Sequence, residues 1–111
     1  MMKELLIETL EKLGYSVYLQ GSMTEYPDSF ITFFTTDSSE QGFFDGVPHG
    51  TAWTFTVIFY TNNPALMSTV PMEIYTALKS AGFIPQGKGM DIPSDEPTHT
   101  GWANDYIYLE N

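Results

Sequence analysis

Between Thr51 and Thr61 the chain alternates without a break: Trp53, Phe55, Val57 and Phe59 share one side of an extended backbone, and Ala52, Thr54, Thr56, Ile58 and Tyr60 the other. Side chains of a β-strand point to opposite faces in turn, so this period predicts a strand over Thr51–Thr61, with Trp53 to Phe59 directed into a core. A strand buried on one face requires a sheet around it. The nearest partner is Ser29 to Thr36, where Phe30, Thr32, Phe34 and Thr36 oppose Ile31, Phe33 and Thr35. Rings on both faces suit an inner strand, covered by a helix on one face and by a partner or another layer on the other.

Two stretches change to helical spacing. Leu5, Leu6, Thr9, Leu10 and Leu13 predict a helix over Met2 to Leu13, stopped by Gly14. Glu8 and Lys12 make an i,i+4 pair on its wet face, worth about 0.2–0.5 kcal/mol and indicative of exposure only. Asn62-Asn63-Pro64 opens a second helix that runs to about Ala81, because Asn63 can cap free N–H groups and Pro64 has no N–H to lose. Its buried stripe is Val70, Ile74, Ala77, Leu78 and Ala81, with Gly82 as the stop. Pro71 is tolerated only near a first turn, which predicts a break, or a late true start, around Thr69.

Shorter strands complete the pattern: Tyr15 to Leu19, a segment beginning at Phe83-Ile84, and Trp102 to Leu109, where Ile107 and Leu109 oppose Tyr106 and Tyr108. Asp37 to Gly50, rich in Asp, Ser, Gly and Gln, is expected to be a long hairpin connection or flap. Gln86 to Gly101, with Gly87, Gly89, Pro93 and Pro97, is expected to be an ordered, largely extended loop. The order is αβββαββ. Residues 1–111 thus predict a single α+β domain with an antiparallel-dominated sheet and both helices packed on one face.

Fourteen Asp and Glu stand against four Lys and no Arg, a formal charge of −10. Nucleic-acid affinity rests on Lys and Arg displacing counterions, and Lys3, Lys12, Lys79 and Lys88 make no patch in sequence, so sequence-specific nucleic-acid binding is not expected. With no cysteine there is no disulfide framework, thiolate zinc site or cysteine nucleophile. Lys3, Glu4, Glu8, Glu11 and Lys12 break any signal-peptide hydrophobic region. No apolar run approaches the ~20 residues needed to cross a bilayer, so no membrane role is expected. Eight Phe, seven Tyr and two Trp are a heavy aromatic load for 111 residues. The surplus is expected to meet a partner protein, with Phe43, Phe44, Val47, Trp102, Tyr106 and Tyr108 as the interface candidates.

The one dense polar constellation is Lys88, Asp91, Ser94, Asp95, Glu96, Thr98, His99 and Thr100. Carboxylates with an imidazole are reasonable ligands for a divalent ion, which makes Asp91, Asp95, Glu96 and His99 candidate metal ligands, and Asp95 with His99 a candidate base and orienter. Pro97 prevents a helix from bringing Asp95 and His99 onto one face, and no EF-hand or HExxH spacing is present. The commoner role is carboxylates and hydroxyls capping the loop's own backbone. His49, with only Asp45 near it in sequence, reads as a turn histidine. G-x-S-x-G, P-loop and G-x-G-x-x-G motifs are lacking; Gly87-Lys88-Gly89 is too short to cradle phosphate and reads as a turn. No catalytic residue, cofactor or enzymatic activity is expected.

Three strings carry a family resemblance: Tyr18-Leu19-Gln20-Gly21-Ser22, Tyr26-Pro27-Asp28-Ser29-Phe30, and Ala81-Gly82-Phe83-Ile84 leading through Gly87-Lys88-Gly89 to Ser94-Asp95-Glu96-Pro97-Thr98-His99-Thr100-Gly101. Over most of its length the chain resembles a family of small virion proteins from tailed phages and prophages of Gram-positive bacteria, encoded among head–tail joining and tail genes. The resemblance implies a structural protein at the head–tail junction or tail end, similar to tail terminators or tail-completion proteins. These are α+β domains that assemble into homo-oligomeric rings, often hexameric. The implied partners are the tail tube and the head–tail connector, and the implied location is the virion, with the host cytoplasm during assembly. Excess negative charge around a DNA conduit would keep passing DNA from adhering. Two rival readings are an acidic DNA mimic that inhibits a host nucleic-acid-binding protein, against which the dispersed carboxylates count, and a metal-dependent enzyme built on Asp91 to His99.

Overall fold

The computed structural model describes residues 2–19, 27–40, 50–94 and 97–110. Along the chain these form α1 (Met2–Glu11), β1 (Ser16–Leu19), β2 (Ser29–Glu40), β3 (Thr51–Thr61), a 3-10 turn at Pro64–Ser68, α2 (Val70–Ser80), β4 (Ile84–Pro85), β5 (Met90–Ile92) and β6 (Thr100–Glu110). The strands lie in the order β1-β2-β3-β6-β4, and β5 also pairs with β6. β1 runs parallel to β2 and every other described pairing is antiparallel, so the fold is a single α+β domain on a mixed, mostly antiparallel sheet.

The expected order αβββαββ needs one correction. The segment from Gln86 to Gly101, expected as a loop, contains β5, and β6 begins at Thr100 rather than Trp102. Met90, Asp91 and Ile92 pair with Ala103, Trp102 and Gly101. Three residues are too few to show a period, which is why the glycines and prolines around them dominate the sequence. β2 likewise continues past Thr36 to Glu40, into the expected flap. Its polar end carries no apolar alternation, but backbone pairing with Thr51 to Thr54 does not depend on side-chain polarity. The register slips between Thr35 and Asp37, leaving Thr36 as the extra residue of a bulge.

One face of the sheet carries the core. Ile31, Phe33, Phe55, Val57, Phe59 and Tyr106 pack with Leu6 and Leu10 of α1 and with Val70, Ile74 and Leu78 of α2, so both helices cover the same face. Burying a side chain of this size contributes about 1.5–3 kcal/mol. Trp53 is only half-buried, so the core runs from Phe55 to Phe59 and thins toward the β3 start. The break before α2 falls where Pro71 requires it: Asn63 Oδ1 accepts from Ala65 N–H at 3.1 Å to cap the 3-10 turn, and α2 starts at Val70.

The end of α2 fixes where β4 begins. Gly82, at φ +100°, lets Phe83 N–H reach Leu78 carbonyl at 2.9 Å and Gly82 N–H reach Lys79 carbonyl at 3.2 Å. These two bonds satisfy carbonyls that the helix leaves free. Phe83 then drops into the core against Phe55 and Tyr108.

Candidate functional site

The site begins with a loop. Gly87 and Gly89 adopt φ of 143° and 101°, conformations that favour glycine. A Cβ on Gly89 would lie 2.2 Å from Trp102 Nε1 and 2.7 Å from Ala103 carbonyl oxygen, so the loop lies directly on β6. Side chains of β6 then hold its backbone: Asn104 Nδ2 donates to Gly87 carbonyl at 2.9 Å and Trp102 Nε1 donates to Lys88 carbonyl at 3.1 Å. Gln86 N–H donates to Asp105 carbonyl at 2.9 Å.

This anchoring presents Lys88 to α2. Its Nζ lies 4.9 Å from the centroid of the Tyr75 ring, and Lys79 Nζ lies 5.8 Å from the same centroid. A ring face attracts ammonium groups through its quadrupole, by about 0.5–1 kcal/mol at exposed sites. Met67, Pro71, Met72, Tyr75, Lys88 and Trp102 line a pocket of about 160 Å³ there. Deeper in, Tyr106 packs in the core, where burial pushes its phenol up to about 12 from the usual 10.0; Asn104 lowers it by hydrogen bonding and Tyr75 raises it. That phenol stays protonated near neutral pH and is no base.

The sheet face away from the helices is covered only in part. At the β1 side, Phe30 is fully buried in contact with Tyr18, Tyr60 and His99. At the β6 side, Ile84, Met90 and Leu109 emerge 47 %, 65 % and 58 % exposed. Their partners Ile107, Ala103 and Ala52 place all three on this second face. Between them Thr56 Oγ1 donates to Asp105 Oδ1 at 2.6 Å, on the wall of a recess of about 420 Å³ shared with Met90 and Ala103.

The expected interface residues fare unevenly. Phe43, Phe44 and Val47 lie outside the described residues, as does His49. Tyr106 is not a surface residue: it is 1 % exposed and faces the helices, opposite Phe55. Tyr108 shares that face, half-buried against Phe83. Ile107 and Leu109 do lie opposite Tyr106 and Tyr108, and it is Ile107 and Leu109 that point away from the helices. Trp102 is half-buried and forms a wall of the Tyr75 pocket.

The structure places two of the four candidate metal ligands. Asp95 and Glu96 lie outside the described residues, Asp91 is exposed on β5, and His99 is buried. His99 Nε2 donates to Pro27 carbonyl at 2.8 Å and Nδ1 lies 3.0 Å from Thr98 Oγ1. Both ring nitrogens are thus engaged in tying the β6 start to the β2 start. Among the described residues no group of three or more His, Asp or Glu side chains is arranged to hold a metal ion. No described helix is long and apolar enough to cross a membrane.

No family model matches the chain, and no curated protein matches it either. The site is accordingly characterised by its own geometry: a lysine loop fixed on β6, an aromatic pocket beside it, and an apolar sheet face beyond.

The sequence held a signal for two of these features. Gly-Lys-Gly followed by Trp and Asn on a strand is the pattern of a loop caught by side chains, although the catching residues stand fourteen and seventeen positions downstream. The Tyr75 and Lys79 spacing of i,i+4 on α2 marks a shared helix face.

Proposed function

We propose that this chain is a structural component of a tailed-phage particle, at the head–tail junction or tail end, of the tail-terminator or tail-completion type. It acts by self-association and by docking to other virion proteins, and not by catalysis. The observation that carries this reading is the second sheet face, along which Ile84, Met90 and Leu109 are exposed and over which no described element lies. Exposed apolar side chains on the face of a sheet away from its helices suit contact with another protein.

The edge of the sheet supports the same reading. β1 pairs only with Phe30 to Phe33, and beyond Phe33 no described strand pairs with that side of β2. Such an edge offers main-chain N–H and C=O groups to a neighbouring chain. The resemblance in the Gly87 to Gly101 strings supplies the phage context.

Addition of the purified chain to polymerising tail-tube subunits tests this directly. Bound chain at tube ends, lost on Ile84→Ser with Met90→Ser, is the expected result. A chain that ignores tubes and connectors but competes with duplex DNA for a nuclease would overturn the proposal in favour of a DNA mimic.

A further inference from the structure

Asp105 is the one charged residue that β3, β4, β5 and β6 place on the second sheet face. Two residues before it on β6 stands Ala103, paired with Met90, and two residues after it Ile107, paired with Ile84. Each step is about 7 Å at roughly 3.4 Å per residue, so a lone carboxylate lies between two apolar positions. It is held there from two sides. Thr56, directly opposite on β3, donates from Oγ1 to Oδ1 at 2.6 Å, and Gln86 N–H donates to the Asp105 carbonyl at 2.9 Å.

That hydroxyl is the one described donor to the carboxylate, and no described lysine pairs with it. Lys88 lines the same recess of about 420 Å³, but its ammonium lies 4.9 Å from the ring centroid of Tyr75 on α2. Asp105 is exposed, and in the isolated chain water completes its solvation. A protein that covers this face removes that water. Burying a carboxylate with a single hydroxyl as its partner is strongly unfavourable, and a hydrogen-bonded cation is what offsets the lost hydration.

We infer that the partner docking on the second sheet face presents a basic side chain, arginine or lysine, to Asp105 in the recess beside Thr56. Met90 and Ala103 give the stem of such a side chain an apolar wall. Charge selects another protein and not a second copy. The chain has no arginine, and its lysines are placed elsewhere: Lys3 and Lys79 stand on the helices, Lys12 follows α1 and pairs with Glu8, and Lys88 turns to Tyr75. Two copies face to face would bring Asp105 into an apolar contact with no cation opposite it. The inference rests on the assembly reading and names the chemistry of the surface that meets this chain.

Two measurements on the full chain test it. Asp105→Asn keeps an oxygen for Thr56 and removes the charge, so its binding to tail-tube subunits or connector should be weaker by about tenfold or more. Asp105→Lys should abolish binding, and raised salt should weaken the wild type. NMR titration with a capped Leu-Ser-Arg-Ser-Leu peptide, beside the same peptide carrying neutral citrulline for arginine, reads the site without any virion protein. The arginine peptide should shift the Thr56 and Asp105 amide signals saturably, and the citrulline peptide should not. Asp105→Asn that binds virion proteins like the wild type would overturn the inference and leave the assembly reading intact. A wild type that binds no virion protein but takes the arginine peptide, with the effect lost in Asp105→Asn, would overturn the assembly reading and keep the site. Failure of both measurements would overturn the site as well. Wild-type self-association that is lost in Asp105→Asn would also overturn it, in favour of a second copy as the occupant.

Discussion

The indole Nε1 of Trp102 donates to the carbonyl oxygen of Lys88 at 3.1 Å, so a strand of the sheet sets the position of the loop that carries the charge. The same indole forms a wall of the pocket in front of Tyr75. Loop, pocket and sheet are therefore joined through one side chain, and changes to the loop should register in global stability.

Gly87 and Gly89 separate two costs. Gly87→Ala meets nothing within 4 Å and carries only the backbone penalty of positive φ, about 1–2 kcal/mol. Gly89→Ala adds overlap with Trp102 and with the Ala103 carbonyl, which backbone cannot relieve cheaply. Urea denaturation should show it less stable than Gly87→Ala by about a further 1–3 kcal/mol.

His99 is predicted to act as a tie and not as a ligand. His99→Ala removes the bond to Pro27 and the contact with Phe30, and should cost about 1–3 kcal/mol. Titration calorimetry of the wild type with Mg²⁺, Mn²⁺, Ca²⁺ and Zn²⁺ should give no binding heat. Saturable heat lost in His99→Ala would refute the structural role.

Tyr106 predicts an alkaline limit. Its phenol is raised from 10.0 to about 12 in the folded chain, chiefly by burial, so the folded state holds this proton more tightly than the unfolded state. That contribution to stability is complete below pH 10 and is lost as pH rises through about 12. Denaturation between these limits should show wild-type stability falling more steeply with pH than that of Tyr106→Phe.

Exposed and buried apolar positions should respond differently to truncation. Ile84→Ser, half exposed on the second sheet face, should change stability by no more than about 0.5 kcal/mol, whereas Ile74→Ala on the buried side of α2 should cost about 2–5 kcal/mol. Equal losses would show that Ile84 is packed within the monomer.

Much of the fold was legible where a period had room to repeat. Thr51 to Thr61 gave β3 with its boundaries, and Pro71 placed the interruption before α2. β5 and the end of β2 were hidden because they are held by pairing with distant strands and not by their own alternation. The burial of Tyr106, taken as an interface candidate, was hidden for a similar reason: Tyr106 and Ile107 are both apolar enough for a core, and the choice depends on which side of β3 the helices cover. The site was least legible, since Tyr75, Lys88 and Trp102 meet only after α2 and β6 are packed.

Whether this chain works through the surfaces it presents to other proteins is decided by its sedimentation across a wide concentration range, alone and with tail-tube subunits, beside the Ile84→Ser, Met90→Ser double variant. The wild type should form larger species of defined size or bind the tubes, and the variant, equally folded, should lose tube binding. A wild type that remains monomeric and unbound throughout, or a variant that docks as well as the wild type, would contradict it.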